Sequence, residues 1–377
     1  MAFKGIKSIL VAVFGLFILL FSNNLTAQEH PHEPVAEGHE AKEEKLDPAK
    51  IILDHIKDAH EFHFFTLENK ENPHESFHAT IPLPVIVYQP GKGVSVFSSS
   101  KFGHGGHEEY NGYKLGESGD VVATDGSTAY DFSLTKNVVQ MFIALAVLVF
   151  LMIGIARKYS KGEGVTNAPK GWQNAIEPVI TFVRDDVAKP NLGKKWAKYL
   201  PYLLTVFFFI LINNIFGLIP GLANVTGNTA FTAVLGIISL VVILGSTNGH
   251  FWAHILWPPG VPFAVKLILI PVELAGAVLI KPAALIIRLF ANMVAGHIII
   301  LSFISLIFIF GAMSKVAGWG FSPVSILFTV FIYFIEILVA FIQAFIFTNL
   351  TAVFIGQAFE GGHDDVDGHT DEVISTM

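Results

Sequence analysis

The chain is 377 residues long, 52% hydrophobic and 15% charged, with a net charge of −7 and a mean hydropathy of +0.57. An ordinary soluble domain carries about 25% charged residues. Several apolar runs of about 18 residues or more point instead to a polytopic membrane protein. With no cysteine, disulfides, thiolate chemistry and cysteine metal sites are excluded.

Residues 1–27 have the features of a signal peptide. Lys4 and Lys7 form a basic start, Ile9 to Phe21 an apolar core too short for a comfortable span, and Ala27 a cleavage point. Leu25 is a poor match to the small residue expected two positions before Ala27, so an uncleaved anchor is the alternative. Residues 28–136 form an acidic, histidine-rich extension with a net charge of about ten negative. The stretch IPLPVIVYQPGKGVSVF alternates apolar and branched residues around Pro90-Gly91-Lys92-Gly93, which predicts a hairpin. A disordered acidic start followed by a small β-containing extramembrane segment is expected. Its histidines have no defined ligand spacing, so they read as a solvated tail rather than a zinc or copper site. No metal or cofactor is expected.

Asn137 to Ala156 is the first span, followed by a basic run with Arg157, Lys158, Lys161 and Lys170. That excess marks the cytoplasmic side and agrees with an exported N-terminus. Trp172, Ile176, Val179, Ile180, Val183 and Val187 recur at helical spacing in a segment too polar to span. An amphipathic helix at the membrane surface is expected there, with Pro178 near a break or an early turn. Spans over about Tyr199 to Leu218 and Thr229 to Thr247 follow. Their connection faces outside, and the next link, up to Pro262, faces inside by counting spans.

Two long apolar segments remain. Val265 to Phe310 carries Lys266, Glu273, Lys281, Arg288 and His297; Val324 to Phe359 carries Glu336 and Gln343. Gly311 to Pro323 is predicted to be the turn between them. At 1.5 Å per residue each outruns a hydrocarbon core of about 30 Å. They must kink, as Pro271 and Pro282 allow, or lie oblique. The fold expected is an all-α polytopic membrane protein. It has about five membrane helices including a long oblique C-terminal hairpin, a surface amphipathic helix and the β-containing N-terminal segment. Residues 360–377 form an acidic tail.

A charge at membrane depth costs roughly 2.5 to 17 kcal/mol. Arg288 cannot release its proton, so it is a fixed cation in need of an acid. Glu273 is about four turns away on the same segment. Either Glu336 folds back to Arg288, or the partner carboxylate belongs to another protein. A fixed cation lowers the pKa of such an acid and favours proton release. His297 and Glu336 both titrate in a tunable range. Nine residues at about 100° each put His297 roughly opposite Arg288 around a helix. Thr329, Glu336 and Gln343 recur every seven residues on one stripe, so Glu336 can face His297 across the hairpin as a proton relay. Asn292, one turn after Arg288, shares its face.

The run KPAALIIRLFANMVAGH resembles the signature of subunit a of F-type ATP synthases. NNIFGLIPG, FVRDDVAKPNLG and IEILVAFIQAFIFTNL are similar to other blocks of that family and occur in its order, over about Asn137 to Phe359. The acidic extension lies outside the family's core pattern and resembles versions in some bacterial lineages.

The resemblance implies that Arg288 is the stator arginine facing a ring of c subunits. Asn292 would be the polar position after it, Gln343 the glutamine contacting the arginine region, and Glu273 an acid often present upstream. His297 and Glu336 would occupy two positions where a histidine and an acid can exchange places. It further implies proton translocation, a b subunit or peripheral stalk as partner, and a bacterial inner membrane with the extension periplasmic and the C-terminus cytoplasmic. No P-loop pattern occurs, so ATP chemistry would take place on other subunits, and no nucleic acid is involved. Two other readings are a secondary cation transporter, which would need a complete alternating-access site, and a non-transporting assembly scaffold.

Overall fold

A computed structural model describes residues 58–67, 77–103, 108–116, 119–163, 171–219, 221–257 and 262–359. The stretch predicted to be a signal peptide, most of the histidine clusters and the acidic tail lie outside the described residues.

The extension is built from short antiparallel strands. β1 (Glu61–Leu67) pairs with β2 (Phe77–Pro82), and β3 (Pro84–Gln89) with β4 (Gly93–Ser98). β5 (Tyr113–Leu115) pairs with β6 (Val121–Ala123), and β7 (Tyr130–Asp131) adds to the other side of β3. The predicted hairpin is present: Gly91 and Gly93 take φ of 96° and 84°, the left-handed region that glycine enters without steric cost. Val85, Val87, Phe102 and Tyr113 form a small core.

Asp131 ties this unit together. Its carboxylate accepts from His60 Nε2 at 3.2 Å, from the Val121 N–H at 3.0 Å and from the Ser133 N–H at 2.9 Å. Burial opposes its ionisation, but the bonds from His60, Ser133 and Val121 outweigh that and hold the carboxyl well below its ordinary 3.8. A depressed folded pKa means that the stabilisation is complete above about pH 4 and is lost as pH falls through the folded value. Asp131→Asn should therefore destabilise the extension by about 2 kcal/mol at neutral pH. Faster amide exchange around Val121 would register it, and the gap to wild type should close in acid.

The extension is strapped to the first membrane helix, α1 (Lys136–Ser160). The Lys136 N–H donates to Ala59 O at 2.9 Å, and the Asn137 N–H to the Asp58 carboxylate at 3.3 Å. Arg157 and Lys158 fall in the last turn of α1, where cations suit the helix dipole.

α2 (Trp172–Phe182) is the predicted amphipathic helix. Pro178 lies inside it rather than at a break. A π-helical stretch, Val183–Ala188, leads into the short α3 (Lys189–Leu192). Gly193, at φ 48°, then redirects the chain into α4 (Trp196–Leu218). Asn228 caps α5 (Thr229–Gly245) by accepting from the N–H groups of Ala230 and Phe231. A short α6 (Gly249–Leu256) follows.

The penultimate apolar segment stays helical throughout, with one irregular turn between its two prolines. α7 (Phe263–Ala275) passes through a π-helical stretch, Gly276–Ile280, into α8 (Lys281–Met313). Pro282 would clash with a carbonyl one regular turn back, and the wider π turn relieves it. The same arrangement recurs upstream, where the π stretch ending at Ala188 precedes Pro190.

The last turn is far tighter than the sequence suggested. Gly311 to Pro323 is not a loop: α8 runs to Met313, Ser314 alone is extended, and α9 (Lys315–Phe359) starts at once with Pro323 inside it. Ser314 Oγ accepts from the Ala317 N–H at 3.0 Å, an N-cap. A Cβ on Gly318 would lie 2.8 Å from Gly311 Cα, so these glycines serve the close crossing of two helices. Among the described residues, four helices are long and apolar enough to cross a membrane, with the 17-residue α5 as a shorter apolar one. One core of side chains from α1, α4, α5, α8 and α9, with the α2–α3 segment, joins them.

Candidate functional site

The α8–α9 hairpin sets the register of the site. Phe310 stacks on Phe321, Phe303 stacks on Phe328, and Ser325 Oγ donates to Phe303 O. Further along, the Glu336 carboxylate lies against Gly296: a Cβ there would sit 2.2 Å from Glu336 Oε2. Antiparallel continuation brings Gln343 to the level of Arg288.

Glu336 is 7% exposed and Gln343 3%. His297, beside Gly296 on α8, is half-buried and makes an interaction of its own. The structure thus brings His297 and Glu336 to one level of the hairpin. Arg288 lies eight residues before Gly296, about 12 Å along the helix, so Glu336 does not fold back to it.

Arg288 and Asn292 are both exposed, one turn apart, and Ile287 beside them is 63% exposed. The inner side of the same stretch carries Leu285, Leu289 and Met293, each at most 2% exposed. The other cations of this segment are provided for within the chain. The Lys266 ammonium sits 4.1 Å from the centre of the Trp257 ring. Lys281 lies 4.7 Å from that of Phe354 and donates to Gln357 Oε1 at 2.9 Å. Among the described residues no carboxylate pairs with Arg288. Glu273 is separated from this group: it lies on α7, before the π stretch, within charge range of Lys281.

Several polar groups missed in the sequence reading converge near Glu336. Asn214, fully buried on α4, donates from Nδ2 to Ala340 O at 3.2 Å, one turn from Glu336 on α9. Asn224, in the connection between α4 and α5, donates to Met293 O at 3.3 Å, one turn from Gly296. Asn214 Oδ1, Asn213 Oδ1, Thr226 Oγ1 and Glu336 Oε2 are buried with no protein hydrogen-bond partner. Such a set costs free energy unless it is solvated or used, and it suits a narrow hydrated path. The Asn213-Asn214 pair inside an apolar run was the available signal. Gly296 carried a weaker one, a small residue beside His297.

The family model described as ATP synthase A chain matches residues 138–356. A second model, a domain of unknown function (DUF8433), matches residues 51–141, which includes the described strands. "ATP synthase subunit a" of Chloroherpeton thalassium is 44% identical over 247 residues, covering 64% of this chain and 71% of that protein. "ATP synthase subunit a 2" of Prosthecochloris aestuarii is 44% identical over 246 residues, covering 64% and 73%. "ATP synthase subunit a" of Anaeromyxobacter dehalogenans is 39% identical over 250 residues, covering 64% and 61%. With the family match spanning every membrane helix described above, the chain belongs to the ATP synthase A chain family, as a multi-pass membrane subunit of that complex.

Proposed function

We propose that this chain forms the two proton half-channels and the stator charge of the ATP synthase membrane sector. Protons enter from the periplasmic side past His297 and Glu336 and reach a carboxylate on a ring of c subunits. Neutralised, that carboxylate can face lipid. After nearly a full turn of the ring it meets the second half-channel, open to the cytoplasm, and releases its proton. Arg288 stands between the two paths, favours the ionised ring acid and blocks direct leakage. Asn292 and Gln343 orient the groups around it, and Glu273 lies toward the cytoplasmic path. A b subunit or peripheral stalk holds the chain against rotation in a bacterial inner membrane. The exposed Arg288, with no carboxylate partner among the described residues, and the buried polar groups gathered near Glu336 further along the hairpin support this reading best.

Because the chain has no cysteine, introduced ones report without background. Ile287→Cys and Asn292→Cys should form disulfides with single cysteines on the carboxylate-bearing helix of the ring subunit. Met293→Cys, which faces inward, should not. Equal yields at all three positions would remove the proposed ring-facing surface.

A further inference from the structure

The sheet of β4, β3 and β7 has an outer face that the described chain leaves uncovered. Residues directly opposite in an antiparallel sheet share a face. Tyr88 lies opposite Val94 and Tyr130, and Ile86 opposite Val96. Phe132 continues the row, its N–H donating to Ile86 O at 2.8 Å. The alternate residues Val85, Val87 and Gln89 are buried on the inner face. On the outer face Val94 and Val96 are each 65% exposed and Phe132 64%. Tyr88 and Tyr130 are also exposed, and none of the six is charged. Single exposed apolar residues are normal on any protein; a continuous sheet face of them marks an interaction site.

The position of this face in the chain identifies what covers it. Its edge strand, β7, runs straight into α1. The Leu134 N–H donates to Pro84 O at 3.3 Å, at the start of β3, while Lys136 and Asn137 bond to Ala59 and Asp58, just ahead of β1. Phe132 precedes the start of α1 by four residues, at most about 14 Å of extended chain. α1 itself exposes Phe142, Ile143, Leu145 and Phe150, the lipid-facing side of an apolar membrane helix. The exposed sheet face is therefore joined, through a connection of only a few residues, to a membrane helix with an exposed apolar side. Its composition is also graded along the strands. Phe132, Ile86 and Val96 lie toward α1. Tyr88 and Tyr130, whose rings stack at 6.3 Å, lie one strand pair farther away. Tyrosine, with an apolar ring and a polar tip, suits the boundary between lipid and water.

We propose that this face is an interfacial lipid anchor. It rests in the boundary between headgroups and acyl chains of the leaflet that α1 enters and holds the extension flat on the membrane. The idea needs only the membrane placement of α1, so it stands or falls separately from the proton path.

The test uses the assembled complex in liposomes of neutral phosphatidylcholine, with single cysteines carrying a nitroxide. Val96→Cys and Phe132→Cys report on the face, and exposed Lys114→Cys provides a reference in water. Collision rates with oxygen, which partitions into lipid, are compared with those of a water-soluble nickel chelate. A several-fold bias toward oxygen at Val96 and Phe132, and toward nickel at Lys114, is the expected result. Free nickel access at all three positions would place the face in water and overturn the proposal. Low access to both reagents at Val96 and Phe132 would mean that protein covers it, which overturns the proposal equally. Val94→Cys, on the same face, repeats the reading where a bulky aromatic is not removed.

Discussion

Arg288→Ala is expected to abolish both ATP-driven proton pumping and proton-driven ATP synthesis in membrane vesicles. The side chain is exposed and has no carboxylate partner among the described residues, so its loss leaves the chain's own packing intact. On the proposed reading, what disappears is the fixed cation opposite an arriving ring acid. An opposite charge within a few ångströms lowers a carboxyl pKa by about 1 to 3 units. Without it, the ratio of ionised to protonated acid at the point of release falls by roughly ten- to a thousandfold. The proposed barrier to direct leakage between the half-channels would go with it. Arg288→Lys should fail as well, because an ammonium can shed its proton in a buried site and presents no planar fork. Normal assembly with no coupled activity is the expected pair of readings; coupled synthesis surviving in Arg288→Ala would sink the stator assignment.

The second large effect concerns Glu336 and the glycine beneath it. Glu336→Gln removes a group able to carry a proton and should slow proton flux about a hundredfold or more. His297→Ala should slow it in the same direction. Gly296→Ala separates chemistry from position. The added methyl would have to occupy space 2.2 Å from Glu336 Oε2, closer than real side chains approach, so the carboxylate must move although its chemistry is unchanged. Flux in Gly296→Ala should fall toward that of Glu336→Gln, with the complex still assembled. Flux at wild-type level in Glu336→Gln would make Glu336 a packing residue. Wild-type flux in Gly296→Ala alone would show that the carboxylate needs no fixed seat.

Membrane helices were legible wherever apolar length decided the matter. α1, α4 and α5 start and stop within a few residues of the spans read from hydropathy, because lipid imposes one demand along the whole segment. The irregular π turn between Pro271 and Pro282 was legible only as a weak point in the helix, since proline excludes the regular helix locally. The hairpin turn was misread because glycine and proline carry two meanings. Gly311 and Gly318 allow close helix crossing, which looks like a turn signal until the partner backbone is known. Pro323 is held in a helix whose other residues outvote it. Asn213 and Asn214 were read only as part of a span and of a family block, since the bond from Asn214 to Ala340 O on α9 is a long-range contact.

The far end of α9 has a mechanical consequence. Past the level of Lys281 it runs on to meet the α2–α3 segment and the α5–α6 link. Asn191 donates to Asn349 Oδ1 at 2.9 Å, and Gly356 lies so close to Asn191 O that a Cβ would approach it to 2.2 Å. The Asn248 N–H donates to Ala358 O at 3.2 Å, and Phe359 stacks on Tyr199 at 6.1 Å. On the proposed reading, each step of the ring pushes sideways on the Arg288 face of α8. A single extended residue, Ser314, cannot absorb that load by bending far. The torque would travel along α9 as through a beam and be taken up where its last two turns are pinned, some tens of ångströms from the charge that receives it.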